Sequence, residues 1–247
     1  MAAAGRITFM KNTIIAPALL VLLTLAFLVA PSLTPPFMGY RPGQMPVDIG
    51  RAAIQPAGYA FAIWGMIYLW LIAHAVFGLI WRREDPVWAR PRLPLMLAVA
   101  LGTVWLAIAS NWPVAATISI AVMAIAAITA FLRADPVKDR WLLIAPLAIF
   151  AGWLTAATLV SLGVVLAGYG LLTNEGSAYV MLALATALGL ALQSRQPSMP
   201  IYGATLVWAL IAVNRVNATD LAPVALAAAA AAALIGAGSA LLWLRNR

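Results

Sequence analysis

The chain has no cysteine, which excludes disulfides, thiolate metal sites and thiol chemistry. It has one histidine, His74, and only seven carboxylates in 247 residues. Those seven (Asp48, Glu84, Asp85, Asp135, Asp139, Glu175 and Asp220) fall in connections or at the ends of apolar runs, with no acid pair inside a run. No nucleophile–base constellation, metal-ligand spacing or phosphate-binding glycine loop is visible, so a non-enzymatic protein is expected. Ion-coupled transport uses ionisable groups within the membrane, and His74 alone lies well inside a run, so an active pump is not expected either.

Charge is scarce overall, at 9% against about 25% in a soluble domain. Hydrophobic residues make up 65% of the chain and the mean hydropathy is +0.99. The expected class is an all-α polytopic membrane protein. Eight apolar spans can be drawn, at about 13–30, 57–81, 93–112, 114–132, 141–169, 179–193, 200–216 and 223–244. The sixth, with about fifteen apolar residues, reads as tilted, short or partly re-entrant. Arg6 and Lys11 precede the first span, which has no small-residue cleavage site and reads as a retained helix.

With a cytoplasmic N-terminus, twelve basic residues fall inside: Arg6, Lys11, Arg82, Arg83, Arg90, Arg92, Arg133, Lys138, Arg140, Arg195, Arg245 and Arg247. Only Arg41, Arg51 and Arg215 fall outside. This asymmetry predicts both termini in the cytoplasm. The net charge of +8 is therefore a topology signal and a contact for anionic lipid, and no nucleic-acid partner is implied. Trp81, Trp88, Trp141 and Trp243 near span ends read as interfacial anchors.

What is abundant is aromatic and small. The second span holds Trp64 and Tyr68 at i and i+4, so both rings project from one helix face. They either pack against neighbouring helices or line a pocket. Before this span lies the longest connection, 31–56, with Pro31, Pro35, Pro36, Pro42, Pro46 and Pro56 and three glycines. Proline removes backbone donors, so no regular helix is expected there. Phe37, Met38, Tyr40 and Met45 favour a lid folded over the protein. The third span ends at Asn111-Trp112, where Asn111 either caps backbone groups or faces a site. In the fifth, Trp153 sits among Gly152, Thr155, Ala157, Thr158 and Ser161, filling a groove between close helices or lining a pocket. His74 offers either an interhelical hydrogen bond, the commoner use, or an axial ligand to a haem. In the seventh span, Arg215 either pairs with Asp220 or snorkels, and Asn217-Ala-Thr219 matches a glycosylation pattern. The eighth carries an alanine tract, 226–233, with Gly236 and Gly238, suited to tight packing.

Pro56-x-Gly58-Tyr59-x-Phe61-x-Ile63-Trp64-Gly65-x-Ile67-Tyr68 resembles the second-helix signature of the translocator protein family, the tryptophan-rich sensory proteins (TspO/MBR). Asn111-Trp112 is similar to that family's Asn-Trp at the end of the third helix, and Trp153-Leu-x-x-Ala157-Thr158 to its fifth-helix motif. The resemblance covers about residues 10–170. It implies a TspO-like five-helix core, 1–170, under the lid loop 31–56, and leaves 171–247 as an extension of about three transmembrane helices. It further implies a pocket for tetrapyrroles such as protoporphyrin, lined by Trp64, Tyr68, Asn111, Trp153, Ala157 and Thr158.

No resident cofactor or metal is expected, with porphyrin or haem entering as ligand. The expected partners are the lipid bilayer, a hydrophobic small molecule, and a second copy or another membrane-complex subunit. The expected location is the bacterial inner membrane. The family's Asn after Ala-Thr is replaced by Ser161. Tyr169 is followed by Gly-Leu-Leu-Thr-Asn-Glu, without the basic residue of the vertebrate cholesterol motif. The reading is a membrane receptor or carrier for a flat hydrophobic ligand with a sensory role. The alternative is a structural or assembly subunit whose aromatic faces are protein contacts, and a tetrapyrrole-degrading enzyme is a weaker third.

Overall fold

A computed structural model describes residues 2–34, 39–41 and 43–246. Phe37, Met38, Pro35, Pro36 and Pro42 of the expected lid, and Arg247, lie outside the described residues. The elements are α1 (Ala2–Leu33), a 3-10 turn (Gly58–Ala62), α2 (Ile63–Ile80), the single turn α3 (Pro86–Ala89), α4 (Arg92–Ala109) and α5 (Pro113–Arg133). They are followed by α6 (Ile144–Gly168), α7 (Asn174–Gln193), α8 (Ile201–Asn217) and α9 (Ala222–Arg245). Among the described residues there is no strand, and seven of the helices are long and apolar enough to cross a membrane. The chain is an all-α polytopic membrane protein.

Two expectations about length change. α7 starts at Asn174, five residues before the expected 179, because Thr173 caps it: its Oγ1 accepts the Gly176 N–H at 3.0 Å. The capped turn is polar, so hydropathy alone misses it, and the full helix is 20 residues. The short helix is instead α8, at 17 residues a rise of about 25 Å. α1 also continues through Pro31 to Leu33, which trims the start of the long connection.

Packing divides the helices into two closed rings that share α6. One runs α1–α2–α6–α5–α4 and back to α1; the other runs α6–α7–α9–α8 and back to α6. α6 is suited to the shared position because it is apolar all round. Every residue from Ile144 to Thr155 is buried. Gly152 lets α8 approach: a Cβ there would lie 2.8 Å from both the Tyr202 carbonyl and the Thr205 side chain. The small face of α9 is used within the chain, with Val224, Ala225, Ala228, Ala231 and Ile235 buried in the second ring. One hydrophobic core contains residues of both rings.

The ends of the bundle differ. On the basic face, Arg82 donates through Nε and Nη2 to Asp139 at 2.7 and 3.1 Å, and Lys138 pairs with Asp85 at 2.6 Å. Asp139 adopts a positive φ of 47° and also accepts the Trp88 indole N–H at 2.8 Å. Trp88 is therefore no interfacial anchor: it is buried, stacked on His74 and packed on Phe77. Its indole N–H found a carboxylate, which frees the ring to enter the core. Trp81 and Trp141 stay exposed, as anchors must, while Trp243 is half-buried. The hydrogen bond from Arg82 holds the Asp139 carboxyl below the usual carboxylate range, and the hydrogen bond from Lys138 does the same for Asp85.

Candidate functional site

At the opposite end a cavity of about 930 Å³ opens under the long connection, within the roughly 300–1,000 Å³ usual for small-molecule sites. It lies where the two rings meet. α6 contributes Trp153, Ala157, Val160, Ser161 and Val164, spaced to face one way. Trp64, Trp105 and Ile120 come from the first ring, and Met181, Ala185, Leu206, Leu210 and Val213 from the second. The connection roofs it with Tyr40, Met45, Val47, Ile49 and Arg51.

The aromatic wall is built in layers. Trp64 stacks on Tyr68 with ring centres 5.2 Å apart, as i and i+4 spacing allows. Phe27 of α1 meets both rings edge-on, at 5.7 and 5.2 Å, and fixes them from behind. Trp153 is buried, edge-on to Trp64 at 6.2 Å and to Phe61 of the 3-10 turn at 5.6 Å.

The roof is held by hydrogen bonds at four places, and at one of them a donor is the Arg51 guanidinium. Gln44 Nε2 donates to the Ser110 carbonyl at 3.0 Å, and Val47 N–H to the Gly168 carbonyl at 2.9 Å. Asn174 of α7 accepts the Ala53 N–H at 2.8 Å and donates to the Arg51 carbonyl at 3.0 Å. Asn217 of α8, fully buried, donates to the Ala53 carbonyl at 2.8 Å and accepts from Arg51 Nη1 at 3.0 Å. Met45 seats on Gly168, where a side chain would collide with its sulfur. Burial raises the Tyr40 phenol above its ordinary pKa, opposed by a hydrogen bond with Ser161.

Of the six residues carried over from the resemblance, Trp64, Trp153 and Ala157 line the cavity. Tyr68 lies behind Trp64 and supports it without reaching the lining. Thr158 turns to α5 and donates to the Ile120 carbonyl at 3.2 Å. Asn111 is exposed, donates to its own helix at Ala107, and borders a separate surface depression of about 630 Å³ with Arg41, Gln44 and Ser110. His74 is outside the cavity lining, its Nδ1 2.8 Å from the carbonyl of Leu142 in the α5–α6 connection. Arg215 and Asp220 form no ion pair among the described residues; Asp220 accepts from Thr219. A fully buried Asn217 is no glycosylation acceptor.

Sequence reasoning missed Asn174 and Asn217. Both are asparagines at the ends of apolar spans, a position where an amide bonds backbone that no helix satisfies. It also missed the walls given by α7 and α8.

Among the described residues no cluster of His, Cys, Asp or Glu is grouped to hold a metal ion. No curated protein and no solved structure matches the chain. A family model described as TSPO-like protein matches residues 13–241, from the middle of α1 into the last turns of α9. The match takes in the second ring as well as the first. The chain belongs to the TSPO-like protein family.

Proposed function

We propose that this protein is a non-catalytic membrane receptor or carrier for a flat, hydrophobic, tetrapyrrole-like ligand, with a sensory or regulatory role. The observation that carries the reading is the roofed cavity with Trp64 and Trp153 set edge-on in its wall. Such a wall offers a planar ligand stacking surface, and the apolar lining from α7 and α8 removes the rest of it from water. The roof is fastened chiefly by hydrogen bonds between neutral groups, which water can replace at small net cost, so binding and release proceed by its opening, without a covalent step. Residues 1–170 supply the aromatic side, and 171–247 complete the cavity and anchor its roof. A porphyrin or haem is a ligand in this reading, and Ala157 and Val160 leave room beside the indoles. The basic residues of the connections favour a bacterial inner membrane with both termini cytoplasmic. A second copy of the chain is the proposed protein partner.

The test is a protoporphyrin IX titration of the purified protein in mild detergent, read from the porphyrin's own absorbance. Saturable micromolar binding is expected, weakened roughly tenfold by Trp64→Ala and by Trp153→Ala, the size of a lost aromatic contact. Equal, non-saturating partition into all three proteins would remove the tetrapyrrole reading.

A further inference from the structure

The roof brings three charged side chains to the cavity lining, Arg41, Asp48 and Arg51. In the orientation that the basic residues favour, only Arg41, Arg51 and Arg215 fall on this side of the membrane, and two of them stand at the cavity. Arg51 is the one whose head is held in place. Its carbonyl accepts from Asn174 Nδ2 at 3.0 Å, and its Nη1 donates to Asn217 Oδ1 at 3.0 Å. The amide of Asn217 has one orientation only, because its Nδ2 is committed to the Ala53 and Val213 carbonyls at 2.8 and 2.9 Å.

That bond takes one corner of the guanidinium and leaves the edge formed by Nε and Nη2. This edge is the parallel pair of donors that grips both oxygens of a carboxylate. The opposite end of the protein shows the edge in use: Arg82 donates through Nε and Nη2 to the two oxygens of Asp139, at 2.7 and 3.1 Å. Among the described residues no carboxylate pairs with Arg51. Asp48, the one acid among the described lining residues, has its Oδ1 on the Gly50 N–H at 2.9 Å.

We propose that Arg51 anchors a carboxylate on the edge of the ligand, so that the cavity takes flat apolar acids in preference to their neutral counterparts. This rests on the receptor reading of the same cavity. The aromatic wall and the apolar sides hold the body of such a molecule, and the free edge of Arg51 takes its acid end. The bond to Asn217 orients the guanidinium beforehand, so little side-chain freedom is left to lose on binding. Arg41 adds a second positive charge in the lining, and Asp48 opposes the acid from the same roof. An Arg51 that only fastened the roof would make no distinction between an acid and its ester.

Protoporphyrin IX and its dimethyl ester share one ring and differ in their carboxylates. Each is titrated at neutral pH against the protein in nanodiscs of neutral phosphatidylcholine, with empty nanodiscs to subtract partition. Arg51 is exposed, and a pair open to water gives the acid an advantage over the ester of about fivefold at most, shrinking as salt rises. Arg51→Gln should make acid and ester equal. Arg51→Lys keeps the charge but loses the fork, and should retain only part of the preference. Asp48→Asn should raise the acid-to-ester ratio above the wild type, since an asparagine Oδ1 still accepts from Gly50.

Equal affinity of acid and ester for the wild type, a preference that survives Arg51→Gln, or a ratio indifferent to salt would overturn the inference. Should Arg51→Gln fail to fold, the salt series on the wild type and the Asp48→Asn ratio decide it. If the ester saturates as tightly as the acid, this inference alone fails. If neither saturates above partition, the receptor reading fails and this one with it.

Discussion

The two ends of the bundle are fastened by different chemistry. On the basic face, Arg82, Asp85, Lys138 and Asp139 join the α2–α3 and α5–α6 connections by charge. On the cavity face, Asn174, Asn217 and Gln44 hold the roof by their side-chain amides, bonded to backbone groups and, at Asn217, to the Arg51 guanidinium. A half-buried ion pair is costly to break because each partner is left charged with its bonds unmade. A neutral amide bond exchanges for water with little net change. One end is thus fastened by ion pairs and the other chiefly by amides, although both are connections between apolar helices.

The largest effect is expected from Asp139→Asn, which keeps a residue type that tolerates the positive φ and removes only the charge. Losing the two charge-assisted bonds from Arg82 should lower the thermal midpoint in detergent, by an amount that shrinks as salt screens the pair. Probe binding at the cavity should not change. Coupled loss of both would erase the contrast between the ends.

Asn217→Ala should act in the opposite sense. It leaves the Ala53 carbonyl and Arg51 without their partner, a local loss of about 1–3 kcal/mol. Hydrogen exchange at the Ala53 and Ala57 amides should speed up by at least about tenfold, with a midpoint change smaller than that of Asp139→Asn. A large midpoint change without faster exchange would make the roof part of the global fold.

The smallest effect, and the sharpest distinction, is expected from acid. Asp139 and Asp85 are held below their ordinary range when folded, so the unfolded chain binds protons first. The stability they give is complete above the ordinary carboxylate pKa of about 4, and it fades as pH falls below that through their lower folded values. Between pH 5 and 3 the midpoint should drop in the wild type and drop less in Asp139→Asn, where Asp85 still titrates against its Lys138 partner. Roof exchange, corrected for its intrinsic pH dependence, should stay level because no carboxylate fastens it to Asn174 or Asn217. A roof that loosens in step with the midpoint would show one end answering for the other.

Much of this was legible in the chain because membrane helices announce themselves by long apolar runs. The apolar helices, the aromatic pair Trp64 and Tyr68, and the roofing connection all follow from residue type and spacing. Of the eight spans expected, seven are helices long and apolar enough to cross a membrane, and the seventh expected span, α8, falls short at 17 residues. The start of α7 was not legible, since Thr173-Asn174-Glu175 looks like loop until its cap is seen. Trp88 looked interfacial because nothing local shows that Asp139, fifty-one residues on, will receive its N–H. Asn111 and Thr158 fit a family pattern, yet a helix face is set by tertiary rotation, and both turn to their own neighbours. The role of Asn217 depends on Ala53 and Arg51, more than 160 residues away, a distance no local pattern spans.

A helix shared by two rings has no margin. For its first twelve residues α6 has no direction in which a methyl group could be added into lipid, and further along Trp153 and Ser161 belong to the cavity wall. Whatever tilts or translates α6 by a fraction of an ångström must re-seat Tyr202 and Thr205 on one side and Thr117 and Phe27 on the other. A displacement of Trp153 would therefore be felt in both rings at once, and the alanine-lined α9, which does not line the cavity, packs on the two helices of the second ring that α6 touches.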